Sequence, residues 1–206
     1  MLTYFPLPYP GEWWYSVLCR YHVCSGNSKH QSTIKELIPG RITAAIGSVY
    51  PNSTIRQILS GLPAGLLSVK DVIIKNTLFP YYSRFSSFEK KTAMLEQLCR
   101  GETIVITSIR KFTAKSVPKY CPQCVVEDRS AYGEAYWHID HQIPLMAICP
   151  EHGCSLQSAD DIIPTHIDYT FYPLESAYSE RSPPVSPSDI FPWQITFSCI
   201  LADYQR

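Results

Sequence analysis

The chain has 206 residues, 45% of them hydrophobic and 13% aromatic, with 8 Cys, 17 Pro and no formal net charge. That apolar content excludes a disordered tail, and the lack of any apolar run near ~20 residues excludes a membrane-spanning helix. The zero balance hides an asymmetry: residues 1–120 carry 15 Lys and Arg against 6 Asp and Glu, whereas residues 121–206 carry 3 against 12.

A half of +9 and a half of −9 can dock on each other or form solvated faces. The positive half can also follow a phosphate backbone. No RNP, leucine-zipper or C2H2 signature accompanies the basic half. Met1-Leu-Thr-Tyr-Phe5 has no basic n-region and runs into prolines at 6, 8 and 10, so it does not read as a secretory signal. Eight cysteines without such a signal point to a reducing compartment with metal thiolates and buried free thiols. Cys19, Cys24 and Cys99 lie among apolar residues and read as packed rather than reactive.

In chain order, residues 1–11 are proline- and aromatic-rich and should be extended. Glu12 to Cys24 has Trp13, Trp14, Val17, Leu18 and Tyr21 at helical spacing, and Gly26-Asn27 stops it. Ser32 is placed to cap a short helix ending at Leu37. Asn52 or Ser53 can cap another over 54–60, and Ser68-x-x-Asp71 resembles a capping box for a helix to about Asn76. After the aromatic corner Thr77-Leu-Phe-Pro-Tyr-Tyr82, a helix over 87–100 is capped by Ser86-x-x-Glu89 and closed by Gly101. Phe88, Leu95, Leu98 and Cys99 would form its inner side. These short helices permit a helix-turn-helix in which 54–60, with Arg56 and Gln57, is the recognition candidate. A helical bundle exposing a few charges is the simpler reading.

Thr103 to Ile109 is β-branched and reads as a strand. A basic link with Arg110, Lys111, Lys115 and Lys119 follows it. Then comes Cys121-Pro-Gln-Cys124 and, after 24 intervening residues, Cys149-Pro-Glu-His152. Two C-P-x-[C/H] knuckles can place three thiolates and an imidazole around one tetrahedral Zn²⁺, leaving no open position for water or substrate. The rival is a redox C-x-x-C, which needs a βαβ context and has no use for a second knuckle. Tyr132 to Gln142, between the knuckles, reads as an aromatic-rich helix or strand. Beyond Gln157 the chain is acidic, with Asp160, Asp161 and Asp168, and five prolines make 173–192 a linker or surface excursion. Phe191 to Tyr204 is too apolar to stand free in water. No P-loop, G-x-S-x-G or H-E-x-x-H is present, and Asp160-Asp161 with Glu127-Asp128 lacks the spacing of a two-metal nuclease.

Several of these segments together are similar to one family. Tyr120-Cys-Pro-Gln-Cys124, Tyr132-Gly-Glu-Ala-Tyr-Trp137, His141-Gln-Ile-Pro144 and Cys149-Pro-Glu-His-Gly153 resemble, in that order, the signature of the TniQ/TnsD target-selection proteins of bacterial transposons. Phe5-Pro-Leu-Pro-Tyr-Pro10 with Glu12-x-x-Tyr15-Ser16 resembles the family's opening. Asn76-Thr-Leu-Phe-Pro80 resembles its H-T-L-F-P segment, with Asn in place of His. The resemblance covers about residues 4–157.

It implies a non-enzymatic adaptor of the bacterial cytoplasm, associated with the nucleoid when on DNA. Such an adaptor recognises target DNA, directly or through an RNA-guided CRISPR effector. It recruits an AAA+ transposition regulator (a TnsC-like ATPase), which brings the transposase. It also implies one structural Zn²⁺ on Cys121, Cys124, Cys149 and His152, with Tyr136 and Trp137 as core aromatics and Gly133 at a turn or packing contact. Cys154, His138 and His141 lie close in sequence and read as bystanders. DNA contact falls to Arg56, Arg110, Lys111, Lys115 and Lys119. Longer members continue past this point, so a chain ending at Arg206 is either a short member or an N-terminal fragment.

The expected fold is mainly α, a small α+β: a helical N-terminal region packed on a Cys3His zinc-ribbon or finger-like module. Its parts are a basic helical region (1–118), a zinc-binding module (119–157) and an acidic, proline-rich extension (158–206).

Overall fold

Eight consecutive side chains from Trp14 to Tyr21 are buried, so the first helix, α1 (Trp14–Ser25), has no solvent face over two turns. A helix buried on all sides lies inside its domain, and the buried apolar side chains of α1 belong to the shared hydrophobic core. The computed structural model describes residues 2, 4–41, 43–102, 104, 117–159, 163, 167, 169–178 and 190–205. Thr103 and residues 105–109 of the expected strand, Arg110, Lys111 and Lys115 lie outside the described residues. So do Asp160, Asp161, Asp168 and residues 179–189.

After α1 come α2 (His30–Leu37), which packs on it, and then α3 (Ser53–Leu59), α4 (Val69–Lys75), α5 (Phe79–Ser83) and α6 (Phe88–Cys99), of which α4 contacts the other three. Next come the two-residue strand β1 (Lys119–Tyr120), α7 (Pro122–Tyr132), a 3-10 turn over Asp140–Gln142 and the strand β2 (Gln157–Ser158). The short α8 (Leu174–Ala177) and the final α9 (Pro192–Asp203) complete the order. The strands pair antiparallel, Lys119 opposite Ser158 and Tyr120 opposite Gln157. The mainly helical, small α+β class expected from the sequence is therefore the observed one. No helix among the described residues is long and apolar enough to cross a membrane.

Local chemistry accounts for most helix ends. Asn52 and Ser68 cap α3 and α4 by accepting from the backbone N–H of Thr54 and Asp71. At α6 the cap is Ser87 rather than Ser86, accepting from Lys90 N–H. Gly26 and Gly133 stop α1 and α7 in the left-handed region, at φ 70° and 82°, where a Cβ would be strained.

Tertiary contacts overrule the local signal elsewhere. α2 starts at His30 without a side-chain cap, because Thr33 Oγ1 meets His22 Nδ1 at 2.6 Å and the His30 ring packs near His22 and Phe171. α6 turns Met94 and Leu98 inward, one turn apart, so Phe88 stands 80% exposed and Leu95 and Cys99 only half-buried. Cys24 is exposed at the end of α1, unlike the packed Cys19. In the expected linker, residues 174–177 form α8. Glu175 there accepts from Arg129 (2.6 and 2.9 Å) and from Ala135 N–H (2.7 Å).

The clasp that unites the chain joins residues 10–16 to residues 136–139. Trp13 N–H donates to Trp137 O and Ile139 N–H to Gly11 O, both at 2.8 Å, around an antiparallel bridge between Glu12 and His138. Trp137 N–H donates to Ser16 Oγ, and Tyr136 Oη to Pro10 O. Asn76 Nδ2 donates to Glu12 O and Trp14 N–H to Asn76 O, which brings the end of α4 to the same point. Under the clasp, Arg20 bridges two carboxylates, Glu12 at 2.9 Å and Glu134 at 2.7 Å, and stacks 3.6 Å over the Tyr9 ring. One hydrophobic core, containing Trp13, Leu18, Ile58, Phe79, Trp137, Phe171 and Leu201, runs through all three stretches of the chain.

α9 lies across both halves. Ile195 sits beside Gly153, Cys199 Sγ lies 3.8 Å from Pro150 O, and Gln205 Nε2 donates to Thr77 O. The terminal stretch therefore packs as its apolar character requires, yet only through one face. Trp193, Phe197 and Ile200 remain exposed.

Trp137 is fully buried and its Nε1–H donates to Tyr172 O at 2.8 Å. Trp137→Ala should cost about 3–5 kcal/mol in chemical denaturation. Burial, outweighing the attraction of Arg20, pushes the Glu12 carboxyl up to about 7 from 4.5. A carboxyl with a raised folded-state pKa contributes stability that is complete below the unfolded value and lost as pH rises through the folded one. Relative to Glu12→Gln, the wild type should therefore lose about 3 kcal/mol between pH 4.5 and 7, read from denaturation midpoints across that range.

Candidate metal centre

The pairing of β1 with β2 fixes the bases of two knuckles side by side. The first knuckle opens α7: Pro122 occupies the first turn, and the Cys121 thiol caps the helix by accepting from Cys124 N–H at 3.5 Å. Pro lacks the N–H that a first-turn position leaves unpaired, so C-P-x-C is suited to start a helix with both sulfurs on one side. The second knuckle is the tip of a hairpin. Cys149 N–H donates to Cys154 O and Gly153 N–H to Cys149 O, with a bridge between Ile148 and Ser155 below.

These turns bring Cys121, Cys124, Cys149 and His152 together, with every pair of donor atoms within 4.8 Å. His152 Nδ1 lies 3.6 Å from Cys121 Sγ, 3.3 Å from Cys124 Sγ and 3.6 Å from Cys149 Sγ. Cys124 Sγ lies 3.8 Å from Cys149 Sγ. A tetrahedron with metal–sulfur bonds of about 2.3 Å and a metal–nitrogen bond of about 2.0 Å has edges of about 3.8 Å (S···S) and 3.5 Å (S···N). The four donors thus match a tetrahedral ion of that size and can hold a metal. The three cysteines are buried and His152 half-buried.

Electrostatics within the cluster favour a cation. Hydrogen bonds from Cys124 and Cys149 pull the Cys121 thiol down to about 2, and the same contact with Cys121 drives Cys124 up. Several acids crowded at one point resist losing all their protons unless positive charge arrives with the loss. Burial alone would depress His152, but Glu127 and the thiolates of Cys149 and Cys121 raise it to about 9. Glu127 Oε1 lies 2.9 Å from His152 Nε2. Donation from Nε2–H there leaves Nδ1 directed at the thiols, as a ligand must be.

The neighbours are arranged around this cluster. Cys154 is buried, with its sulfur 3.2 Å from Cys121 Sγ and its thiol pushed up to about 12 by burial. His138 and His141 gather with Cys124 as a second trio. However, His138 Nε2 is held 2.9 Å from Asp128 Oδ2, and Cys124 belongs to the first cluster as well. Glu127 and Asp128 are therefore each joined to a histidine, and no two-carboxylate site forms from them among the described residues.

Among the basic residues assigned to DNA, two are described. Arg56 Nη1 donates to Cys99 O at 2.7 Å, stapling α3 to the end of α6. Lys119 directs Nζ to the carbonyls of Ile143 and Met146, and burial lowers it to about 8. Sequence reasoning missed the part played by Glu127, although its place one turn after Cys124 on a helix was a usable signal. It also passed over the Glu12–Arg20–Glu134 link, though both glutamates lie inside the motifs quoted above.

The family model described as TniQ matches residues 3–156, a span that includes the clasp and all four metal donors. The chain is also 30% identical over 155 residues to the transposon Tn7 transposition protein TnsD of Escherichia coli. That alignment covers 72% of this chain and 30% of the relative, so the chain spans less than a third of that protein's length.

Glu127→Gln should weaken metal binding about 10–100-fold while leaving the fold intact, measured by competition with a chromophoric chelator. With His152 protonated near pH 7, metal uptake must displace protons. Calorimetric titration in buffers of different ionisation enthalpy should show that release, and affinity should fall as pH falls.

Proposed function

This chain belongs to the TniQ family, and from that premise we propose that it is a non-enzymatic transposition target-selection adaptor built around one structural Zn²⁺. The observation that carries the reading is the coincidence of the family match with the clasp and the four-donor cluster. The matched span, residues 3–156, contains the segments that hold the helical region against the metal module. Four protein donors complete a tetrahedral ion and leave no position for substrate, which suits a scaffold rather than hydrolytic or transfer chemistry. Zn²⁺ fits the donor set because it accepts thiolate and imidazole together and imposes no geometry of its own. Its binding joins the free energy of folding, on the order of 10 kcal/mol for such modules.

In this role the chain joins recognition of target DNA, direct or through an RNA-guided CRISPR effector, to recruitment of an AAA+ regulator, a TnsC-like ATPase. The transposase follows indirectly. The setting is the bacterial cytoplasm, at the nucleoid when DNA is bound. The +9 balance of residues 1–120 faces the nucleic acid. Arg110, Lys111 and Lys115 supply the phosphate contacts, and Arg56 and Lys119 add to the field. The same charge supports a second reading, a self-sufficient sequence-specific DNA-binding protein.

Sedimentation of the chain with the AAA+ regulator, ATP and duplex DNA separates the two readings. ATP-dependent co-sedimentation supports the adaptor. Tight, sequence-selective DNA binding that ignores the ATPase supports the second reading and overturns the first. Replacing Arg110, Lys111 and Lys115 together with Ala should reduce the slope of log K against log salt by about 0.9 for each phosphate that is no longer neutralised. Cys121→Ser should leave the chain insoluble or partly unfolded, and a folded, metal-free Cys121→Ser protein would falsify the structural role of the ion.

A further inference from the structure

Helix α9 presents two stripes at helical spacing, and the chain buries one of them. Ser198, Leu201, Ala202 and Gln205 are buried against the rest of the molecule. Trp193, Phe197, Ile200 and Tyr204, separated by four, three and four residues, form a second stripe on another side. Trp193 is 64% exposed, and Phe197 and Ile200 are exposed with it. Phe85, 86% exposed, meets the Tyr204 ring edge-on at 5.7 Å and extends the apolar surface past the helix. Of the residues in α9 only Asp203 is charged. Scattered exposed apolar residues are ordinary, but a contiguous aromatic patch marks an interaction surface.

Three properties of the stripe fit a second copy of itself. Its spacing reads the same in both directions, so an antiparallel pair sets each Trp193 opposite a Tyr204 and each Phe197 opposite an Ile200. Its charge is complementary too. Asp203 stands at the negative end of its own helix, and antiparallel pairing carries it to the first turns of the other α9, the positive end, on the flank that holds Thr196. The area is sufficient. Phe85, Phe191, Trp193, Phe197 and Ile200 leave on the order of 600 Å² of apolar surface exposed, and two copies together reach ~1,200 Å², where stable specific interfaces begin. A membrane surface fits less well, because α9 carries no Lys or Arg for lipid headgroups. α9 lies beyond residues 3–156, so the family match does not bear on this surface.

We propose that the chain forms a two-fold homodimer in which the outer stripes of two α9 helices pack antiparallel, with Phe85 closing each end against Tyr204. Because α9 also touches Gly153 and Pro150 on one side and Thr77 on the other, the dimer contact holds a helix that spans the metal module and the helical region. The proposal goes beyond the adaptor reading and does not rest on it.

The test is sedimentation equilibrium of the zinc-loaded chain alone, without ATPase or DNA, over about 2 to 200 µM protomer. A monomer–dimer equilibrium with a micromolar dissociation constant is expected. Trp193→Ser with Phe197→Ser should weaken it at least tenfold, whereas Val23→Ser, exposed on α1, should change it less than twofold. Both outer residues are exposed, and circular dichroism checks that each variant is folded. The register has its own test. Asp203→Lys should weaken the dimer severalfold, and adding Thr196→Glu, on the facing flank of the second copy, should restore it. A monomer throughout the range overturns the proposal, as does a dimer that the Trp193 and Phe197 variant leaves unchanged or that Val23→Ser weakens equally. Failure of Thr196→Glu to restore the Asp203→Lys dimer overturns the antiparallel pairing. A chain that stays monomeric but needs the stripe to co-sediment with the AAA+ regulator removes the homodimer and leaves the adaptor reading intact.

Discussion

The antiparallel contact of Gly11–Trp13 with Trp137–Ile139 is the constraint from which the other arrangements follow. Two main-chain hydrogen bonds of 2.8 Å would be marginal alone, but they lie between fully buried indoles and above a buried Arg20 with two carboxylates. Breaking the contact would expose Trp13 and Trp137 and strand Glu12, which is wholly inaccessible. Stranding one partner of a buried ion pair costs about 3–5 kcal/mol, more than the pair contributes when intact. The clasp therefore behaves as an all-or-none feature, and α1, the end of α4 and the aromatic segment after α7 are positioned together or not at all.

The metal cluster works at shorter range, with a different division of labour. It gathers the start of α7 and the hairpin tip around four cysteines that pack largely on one another. Cys121 caps the helix and is also one of the four donors, so a metal held there would steady the helix start as well. Glu127, one turn later, orients His152. α7 is tied to the aromatic segment after it through Asp128 and His138, and to α8 through Arg129 and Glu175.

The opposite charge balances of residues 1–120 and 121–206 meet within one small chain, and the Arg20 link to Glu134 and the Arg56 contact with Cys99 O show basic side chains of the first part engaged in internal contacts. A tetrahedral site saturated by four protein donors would contribute shape rather than chemistry.

The clustering of Cys121, Cys124, Cys149 and His152 was legible from the sequence because a two-residue knuckle is a local object. Pro122 and Pro150 fix the backbone, and the donor spacing follows from chain geometry. Helices α1, α3, α4 and α6 were legible for a similar reason, since Asn52, Ser68 and Gly26 act on atoms a few residues away. Periodicity could not tell that Phe88 faces solvent, because which side of α6 is inward depends on where α4 lies. Nor could it place α7, whose signal lay in a cysteine acting as a cap. Pairing Glu12 with His138 and joining Arg20 to Glu134 each required residues from distant parts of the chain to meet. Local sequence determined the knuckles and the helix caps because those interactions close within a few residues. Only the tertiary structure decided the clasp, because burial and charge at that point are properties of surfaces brought together, not of any one segment.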